Sequence, residues 1–364
     1  MRHFENPHRR ASRQTRLRFR ADPDRPRTLL AACPRHAATP LRLMPEMAAA
    51  QGIATLWVKD ESTRMGLGSF KALGGAFAVA QEMRGRVGDA LGAPVNPHEM
   101  TADAVRRMAS TMTFITASAG NHGLSVAAGA RIFGAQAVVV LGSAVPEAFA
   151  ARLRAIEATV DRVDGSYEDS VTHAAREAAR HGWFHLADGS WEGYIDPPAL
   201  VMEGYTVIAD ECRDAFAAEN KWPTHVVLQA GVGGLAAAVA ARIRDDWPVQ
   251  PRIVVVEPDE APCLMQSVAA GKMTTVKGDD STMGRLDCKT PSLIAFEALQ
   301  QDADAFVTIS DTEAEQTVAL IADYGFASTP SGVAGLAALR VCGDALWVDA
   351  DARVLAILSE GAVD

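Results

Sequence analysis

The chain has 364 residues, 48% hydrophobic and 22% charged, which is enough apolar material for about two domains or one large α/β unit. Lys and Arg number 35 against 45 Asp and Glu, a formal charge of -10 that argues against nucleic acid as main partner, because phosphate backbones require a basic face. No apolar run approaches a membrane span, and the five scattered cysteines show no CxxC pair or disulfide framework, so a cytoplasmic, reducing setting is expected.

Along the chain, residues 1–27 carry nine Arg against Glu5, Asp22 and Asp24, which predicts a basic arm lying across an acidic body. Gly66-Leu67-Gly68-Ser69-Phe70 reads as a glycine-rich turn with a Ser cap, opening a helix at Lys71. Residues 85–108 contain Pro and Gly and are expected to form a surface insertion with one short helix. Strands are predicted at 113–117, 137–141 and 184–187, with helices after Leu124, near 146–156 and at 168–181. Further strands follow at 226–229, 253–257, 305–309 and 354–358, with helices at 235–244 and near 261–270. Continuous β-branched runs alternating with helices mean parallel sheets covered on both faces.

Only six lysines are present, and Lys71 stands apart because it opens a helix, where the positive dipole end disfavours an ammonium. That placement suits an amine that must be neutral to attack a carbonyl, although a lysine reaching to solvent is the plain alternative. Gly231-Val232-Gly233-Gly234-Leu235 follows a strand and precedes a helix, where backbone N–H groups can hold a phosphate. The same loop fits a relaxed dinucleotide fingerprint, with Glu257 where a ribose-binding acid would sit, and a tight packing turn is a third reading. Ser118-Ala119-Gly120-Asn121-His122-Gly123 is a second such loop, able to hold a carboxylate. His122 there is either a base or, more in keeping with its apolar neighbours, a buried structural histidine. No HExxH or Cys/His cluster is present, so no metal is expected.

Taken in order, the Lys71 turn, the Ser-Ala-Gly-Asn-His-Gly loop, the Gly-x-Gly-Gly-Leu loop and the near-terminal Ser359 resemble the fold-type II pyridoxal-phosphate enzymes from about residue 57 to 364. Within them the chain is similar to the diaminopropionate ammonia-lyase and serine/threonine dehydratase branch. The segments that carry this are Lys59 to Lys71, Asp188-Gly189-Ser190-Trp191-Glu192-Gly193-Tyr194, Met283-Gly284-Arg285-Leu286-Asp287-Cys288 and Leu358-Ser359-Glu360-Gly361-Ala362. The resemblance implies an α/β fold of two open, twisted, mostly parallel sheets flanked by helices, with a large cofactor domain (1–75 and 188–364) and a small one (76–187). It implies pyridoxal 5′-phosphate as cofactor and makes the glycine loop its phosphate cradle.

The resemblance also implies roles. Lys71 would carry the cofactor on its amine and move protons, with Phe70 beside it. Gly231, Val232, Gly233, Gly234 and Leu235 would hold the phosphate, Asn121 the 3′-oxygen, and Ser359 the pyridine nitrogen. Ser118, Ala119, Gly120, Asn121 and His122 would receive the substrate carboxylate, and Asp188 would act as second acid–base group. Cys263 and Cys288 fall where the branch can carry paired cysteines, and thiols are expected here. One departure matters. The ammonia-lyase pattern has an Asp, tied to D-isomer handling or the β-amino group, where this chain has Ala119. Without that carboxylate, a neutral β-hydroxyl is favoured over a β-ammonium. The expected activity is therefore dehydration of an L-β-hydroxy amino acid to a 2-oxo acid and ammonia, with L-threo-phenylserine as specific candidate. Small residues at Ala119, Gly189 and Ser331-Gly332 would admit its ring. The alternatives are diaminopropionate ammonia-lyase or serine/threonine dehydratase on the same site. A β-replacement synthase and a non-catalytic ligand sensor are more distant rivals. The expected partners are a small amino acid and, by analogy of fold, a second copy of the chain.

Overall fold

The computed structural model describes residues 2–362 apart from 119, 144 and 166. The strands are β1 (His3–Glu5), β2 (Leu41–Leu43), β3 (Thr55–Asp60), β4 (Thr113–Ala117), β5 (Gln136–Gly142) and β6 (Thr159–Val163). They continue with β7 (Phe184–His185), β8 (His225–Gln229), β9 (Arg252–Pro258), β10 (Ala305–Ile309) and β11 (Arg353–Leu358). Seven form one sheet in the order β1-β10-β9-β8-β11-β3-β2, and four form a second in the order β6-β5-β4-β7. All pairings are parallel except the two edges of the large sheet, β1 on β10 and β2 on β3. This is the expected α/β class of two helix-flanked, mostly parallel sheets.

The continuous apolar runs have a simple cause. Successive side chains of a strand point to opposite faces, and here both faces of the large sheet are covered. Val226, Leu228, Ile253, Val255, Phe306, Leu355 and Ile357 enter one core. Val227, Val254, Val256, Ala305, Val307, Val354 and Ala356 enter the other. Neither face is left for polar residues, so no polar alternation is seen in the sequence.

The helix opened by Lys71 runs to Leu91, so the insertion expected from residue 85 begins seven residues later, at residue 92. Met83 and Val87 are fully buried and carry the helix through Gly85 and Gly88. The remainder of that segment holds a short 3₁₀ turn, Pro97–Glu99, and the helix Asp103–Ala109. Further along, the Lys71 helix crosses the helix Asp196–Glu219 with backbones nearly touching. A Cβ on Gly74 would lie 2.7 Å from the Val201 carbonyl oxygen, and one on Gly204 would lie 2.6 Å from that of Leu73. Only glycine permits this approach, and it fixes where the helix presents Lys71.

The basic arm lies on acids of the body. Arg9 meets Asp304 at 3.4 Å, Arg13 meets Asp302 at 2.8 Å, and Arg18 meets Glu297 at 3.3 Å. Arg25 pairs with Glu203 and Arg27 with Asp210. No helix among the described residues is long and apolar enough to cross a membrane.

Candidate active site

Parallel sheets collect their loops at the carboxyl ends of the strands, and ligands bind there. Five such ends supply this site: β3 leads to the Lys71 loop, β4 to Ser118, β7 to Asp188, β8 to the glycine loop and β11 to Ser359. The Lys71 loop is joined to the segment after β11. Phe70 N–H donates to the Ser359 carbonyl at 3.1 Å, and Gly361 N–H donates to that of Gly68 at 2.9 Å. Lys71 and Ser359 are therefore held in one fixed relation.

Beneath this loop lies a charged cluster with almost no solvent contact. Arg64 is 0% and Lys59 1% exposed. The Arg64 guanidinium binds Glu61 through two nitrogens at 2.8 and 2.7 Å and Glu211 through two more contacts at 2.8 and 2.7 Å. Lys59 reaches Glu211 at 2.6 Å and the Thr39 carbonyl at 2.7 Å. Two cations meet two carboxylates, the condition under which buried charge is tolerated. The cluster braces a backbone that turns through the left-handed region at Met65, Gly66 and Gly68, with φ of 53°, 72° and 83°.

Lys71 is the first residue of its helix, and its ammonium pairs with the Asp188 carboxylate. Its Nζ lies 5.4 Å from the Phe70 ring centre and 5.8 Å from that of Tyr205, and these two rings meet edge to face at 4.9 Å. Burial pushes the Asp188 carboxyl up, but the charge and hydrogen bond of the Lys71 ammonium oppose it, and the group is held well below the usual carboxylate range. Burial likewise pushes the Tyr205 hydroxyl up, keeping it neutral.

The glycine loop turns through Gly233, whose φ is 99°, into the helix Gly234–Asp246. A Cβ at Gly231 would lie 2.9 Å from the Cys288 sulphur, and one at Gly233 would lie 3.0 Å from a Leu264 methyl. Among the described residues, the N–H groups of Gly231, Gly233, Gly234 and Leu235 have no intramolecular acceptor, while the carbonyl of Val232 accepts from Ser292. The helix amides and dipole there favour a dianion. The Ser359 hydroxyl is 96% buried by residue, lies just past β11 and makes no hydrogen bond among the described residues. A cradle of unpaired N–H groups, a lysine amine and a neutral hydroxyl fit pyridoxal phosphate. The dinucleotide reading fails at Glu257: this acid is fully buried and accepts from Leu264 and Met265 N–H at 2.7 and 2.8 Å, anchoring the helix Cys263–Ala270.

The second loop is more self-contained than its sequence suggests. The Ser118 hydroxyl accepts from Gly120 N–H at 3.1 Å and Gly123 N–H at 2.9 Å, so it caps the helix Asn121–Phe133. The His122 ring is buried, and its Nε2 lies 2.8 Å from the Leu186 carbonyl. A carbonyl only accepts, so Nε2 carries the proton and Nδ1 is the bare nitrogen, with burial lowering the ring's pKa. The side chain of His122 is thus neutral, and only its backbone N–H can serve an anion. Ala119 lies outside the described residues. Ser331 and Gly332 are buried beneath Glu360, where a Cβ on Gly332 would come within 2.9 Å of the Glu360 carbonyl oxygen, so they open no room for a ring.

Sequence reasoning missed Glu360, Arg285 and Tyr205. Glu360 is 4% exposed and accepts from Asn121 Nδ2 and the Thr329 hydroxyl. Arg285 Nε lies 3.1 Å from Glu360 Oε2, the oxygen that also accepts from Asn121. The usable signal was a charged residue directly after a buried strand, a place where charge needs a partner. Cys263 and Cys288 are free thiols on either side of Gly231. Burial pushes Cys288 up to about 12 and raises Cys263 well above its usual range, so both stay protonated.

Residues 33–360 match the pyridoxal-phosphate dependent enzyme family. The diaminopropionate ammonia-lyase of Escherichia coli K12 is 34% identical over 344 residues, covering 90% of this chain and 85% of that one. That of Salmonella typhimurium is 33% identical over 353 residues, covering 90% and 86%. A crystal structure of the E. coli ammonia lyase in complex with D-serine superposes with a TM-score of 0.89 at 29% identity, over all of this chain and 94% of that one. A probable D-serine dehydratase of Ectopseudomonas mendocina is 27% identical over 80% of this chain and 68% of its own length. With the lysine, the glycine cradle and the terminal serine assembled at the ends of five strands, the chain belongs to the pyridoxal-phosphate dependent enzyme family, in its ammonia-lyase and dehydratase branch.

Proposed function

We propose that the protein eliminates ammonia from 2,3-diaminopropionate, giving pyruvate and two ammonia per turnover with uptake of one water. The observation that carries the reading is the Lys71–Asp188 pair at the mouth of the glycine cradle, in a chain a third identical to two diaminopropionate ammonia-lyases. Pyridoxal phosphate, when bound, supplies the electron sink that lets a Cα–H bond ionise. Lys71 takes the Cα proton on its amine once the substrate's amine has replaced it. Asp188, kept ionised, holds the resulting Lys71 ammonium in place, and that ammonium gives its proton to the leaving β-amine. Asn121 would hold the cofactor at its 3′-oxygen, and the Ser359 hydroxyl would hold it at its ring nitrogen. We assign the L isomer, because Ala119 offers no carboxylate to work from the second side.

Ala119 also supports one second reading, dehydration of an L-β-hydroxy amino acid such as L-threo-phenylserine, in which no β-ammonium needs a carboxylate. Nothing beyond that residue adds to it, and the loss of room at Ser331-Gly332 weakens the aryl substrate. The test is kcat/KM for L- and D-diaminopropionate, L-serine, L-threonine and L-threo-phenylserine on cofactor-loaded protein. Diaminopropionate in first place by tenfold or more supports the proposal, and phenylserine in first place refutes it.

A further inference from the structure

Arg285 is unused by any role above, yet it touches both binding loops. Its carbonyl oxygen would lie 3.0 Å from a Cβ on Gly231, at the phosphate cradle. Its side chain crosses to the other loop, with Nε 3.6 Å and Cγ 3.7 Å from where a Cβ on Gly120 would stand. Two anchors fix it. Ser331 accepts its backbone N–H at 3.2 Å, and Glu360 pairs with Nε at 3.1 Å. Among the described residues, its Nη nitrogens make no hydrogen bond, and its side chain is 34% exposed, so these donors are left for a ligand or solvent.

The charges around the Gly120 loop make that edge informative. Glu360 and Asp188 are both acidic and both border the site, and Lys71 is committed to Asp188. An incoming carboxylate would meet net negative charge unless a further cation were present. The loop itself offers less than its sequence suggests, because the Ser118 hydroxyl consumes the N–H groups of Gly120 and Gly123. A guanidinium presents several donors in a plane matched to a carboxylate, and fixing Nε on Glu360 aims the remaining ones. We propose that Arg285, aimed by Glu360, is a substrate-binding residue that receives the α-carboxylate of the amino acid above the Gly120–Asn121 backbone. Glu360 is then a positioning residue with two tasks: its carboxylate only accepts, so it also sets which end of the Asn121 amide is the donor.

The inference rests on the reading that the Lys71 site takes an amino acid, and it is tested without elimination. L-Alanine and L-alaninamide differ in the carboxylate alone and have no β leaving group. Their dissociation constants are read from the absorbance of the cofactor-loaded enzyme. Wild type should prefer L-alanine by about tenfold or more, the size of one charged hydrogen bond, and Arg285→Met should erase that preference by weakening L-alanine alone. Arg285→Lys should restore part of it. For the turned-over substrate the loss should fall on KM rather than kcat. An unchanged ratio in Arg285→Met overturns the proposal, as does a loss confined to L-aspartate, which would make the guanidinium a reader of side-chain carboxylates. If Arg285→Met does not retain cofactor, Arg285→Gln is read in the same way. Failure of both to load makes Arg285 a cofactor residue and also overturns the proposal. A substrate panel without turnover would sink the proposed activity while leaving the alanine ratio free to report on Arg285.

Discussion

Arg64→Met is the perturbation that bears most directly on how the fold presents Lys71. Arg64 makes four contacts to carboxylate oxygens at 2.7–2.8 Å, one to the Thr39 hydroxyl at 3.0 Å and one to the Ala37 carbonyl at 3.1 Å. Methionine fills much of the same volume and supplies none of these, so Glu61 and Glu211 remain with Lys59 as the one cation of the cluster. Breaking a buried pair by removing one partner costs about 3–5 kcal/mol, because the other charge is stranded. Equilibrium urea unfolding of cofactor-loaded protein, followed by far-UV circular dichroism, should show a loss in that range, together with weaker cofactor retention as the Met65–Gly68 backbone relaxes. The double variant Glu61→Leu/Arg64→Met removes opposite charges together and should recover half or more of the loss, a coupling that distant sites do not show. A single variant within about 1 kcal/mol of wild type, or a double variant that is simply additive, would refute the role given to the cluster, since a buried charge left alone must cost several times more.

Three further outcomes are expected. Lys71→Ala should lower kcat to below about one-thousandth of wild type in a steady-state assay while circular dichroism stays unchanged, since one positioned proton carrier and the covalent anchor are both removed. Gly233→Ala should cost about 1–3 kcal/mol, because φ of 99° is strained for any side chain and its Cβ meets Leu264 at 3.0 Å. Cofactor titration should show weakened binding in the same variant. Burial pushes the Glu211 carboxyl up, but Arg64 and Lys59 outweigh it and set its pKa below the unfolded value. Its stabilisation is therefore complete at neutral pH, above the unfolded value of about 4.3, and is lost as pH falls through the lower folded value. Unfolding midpoints should fall toward acid, and less steeply in Glu211→Gln.

Much of this architecture was legible because its causes are local. Val226 to Gln229 and Ile253 to Glu257 are apolar on both faces, so their strands stand out in the sequence. The Gly231–Gly234 loop was visible for the same reason that it works, since only glycine allows N–H groups to converge there. Lys71 stood out among six lysines by opening a helix, and its role came from the family resemblance. What stayed hidden depends on residues distant in the chain. The edge strand β2 is three residues, mostly exposed, and gives no periodicity. Arg64, Lys59 and Glu211 read as solvated charges until they are brought together, since no single-residue property predicts burial of a paired charge. The Asn121–Glu360 bond joins positions 239 residues apart. The helix continuing through Gly85 and Gly88 shows tertiary packing overriding a local weakness, because Met83 and Val87 gain more by burial than two glycines lose.

The central claim, elimination of a β-amine at the Lys71 site, is tested most directly by counting products. Cofactor-loaded enzyme is given L-diaminopropionate, and ammonia and 2-oxo acid are quantified in the same sample. Two ammonia per pyruvate, with no turnover by Lys71→Ala, is the result predicted. Absence of pyruvate from diaminopropionate, alongside one ammonia per 2-oxo acid from a β-hydroxy amino acid, would contradict it and make the protein a dehydratase.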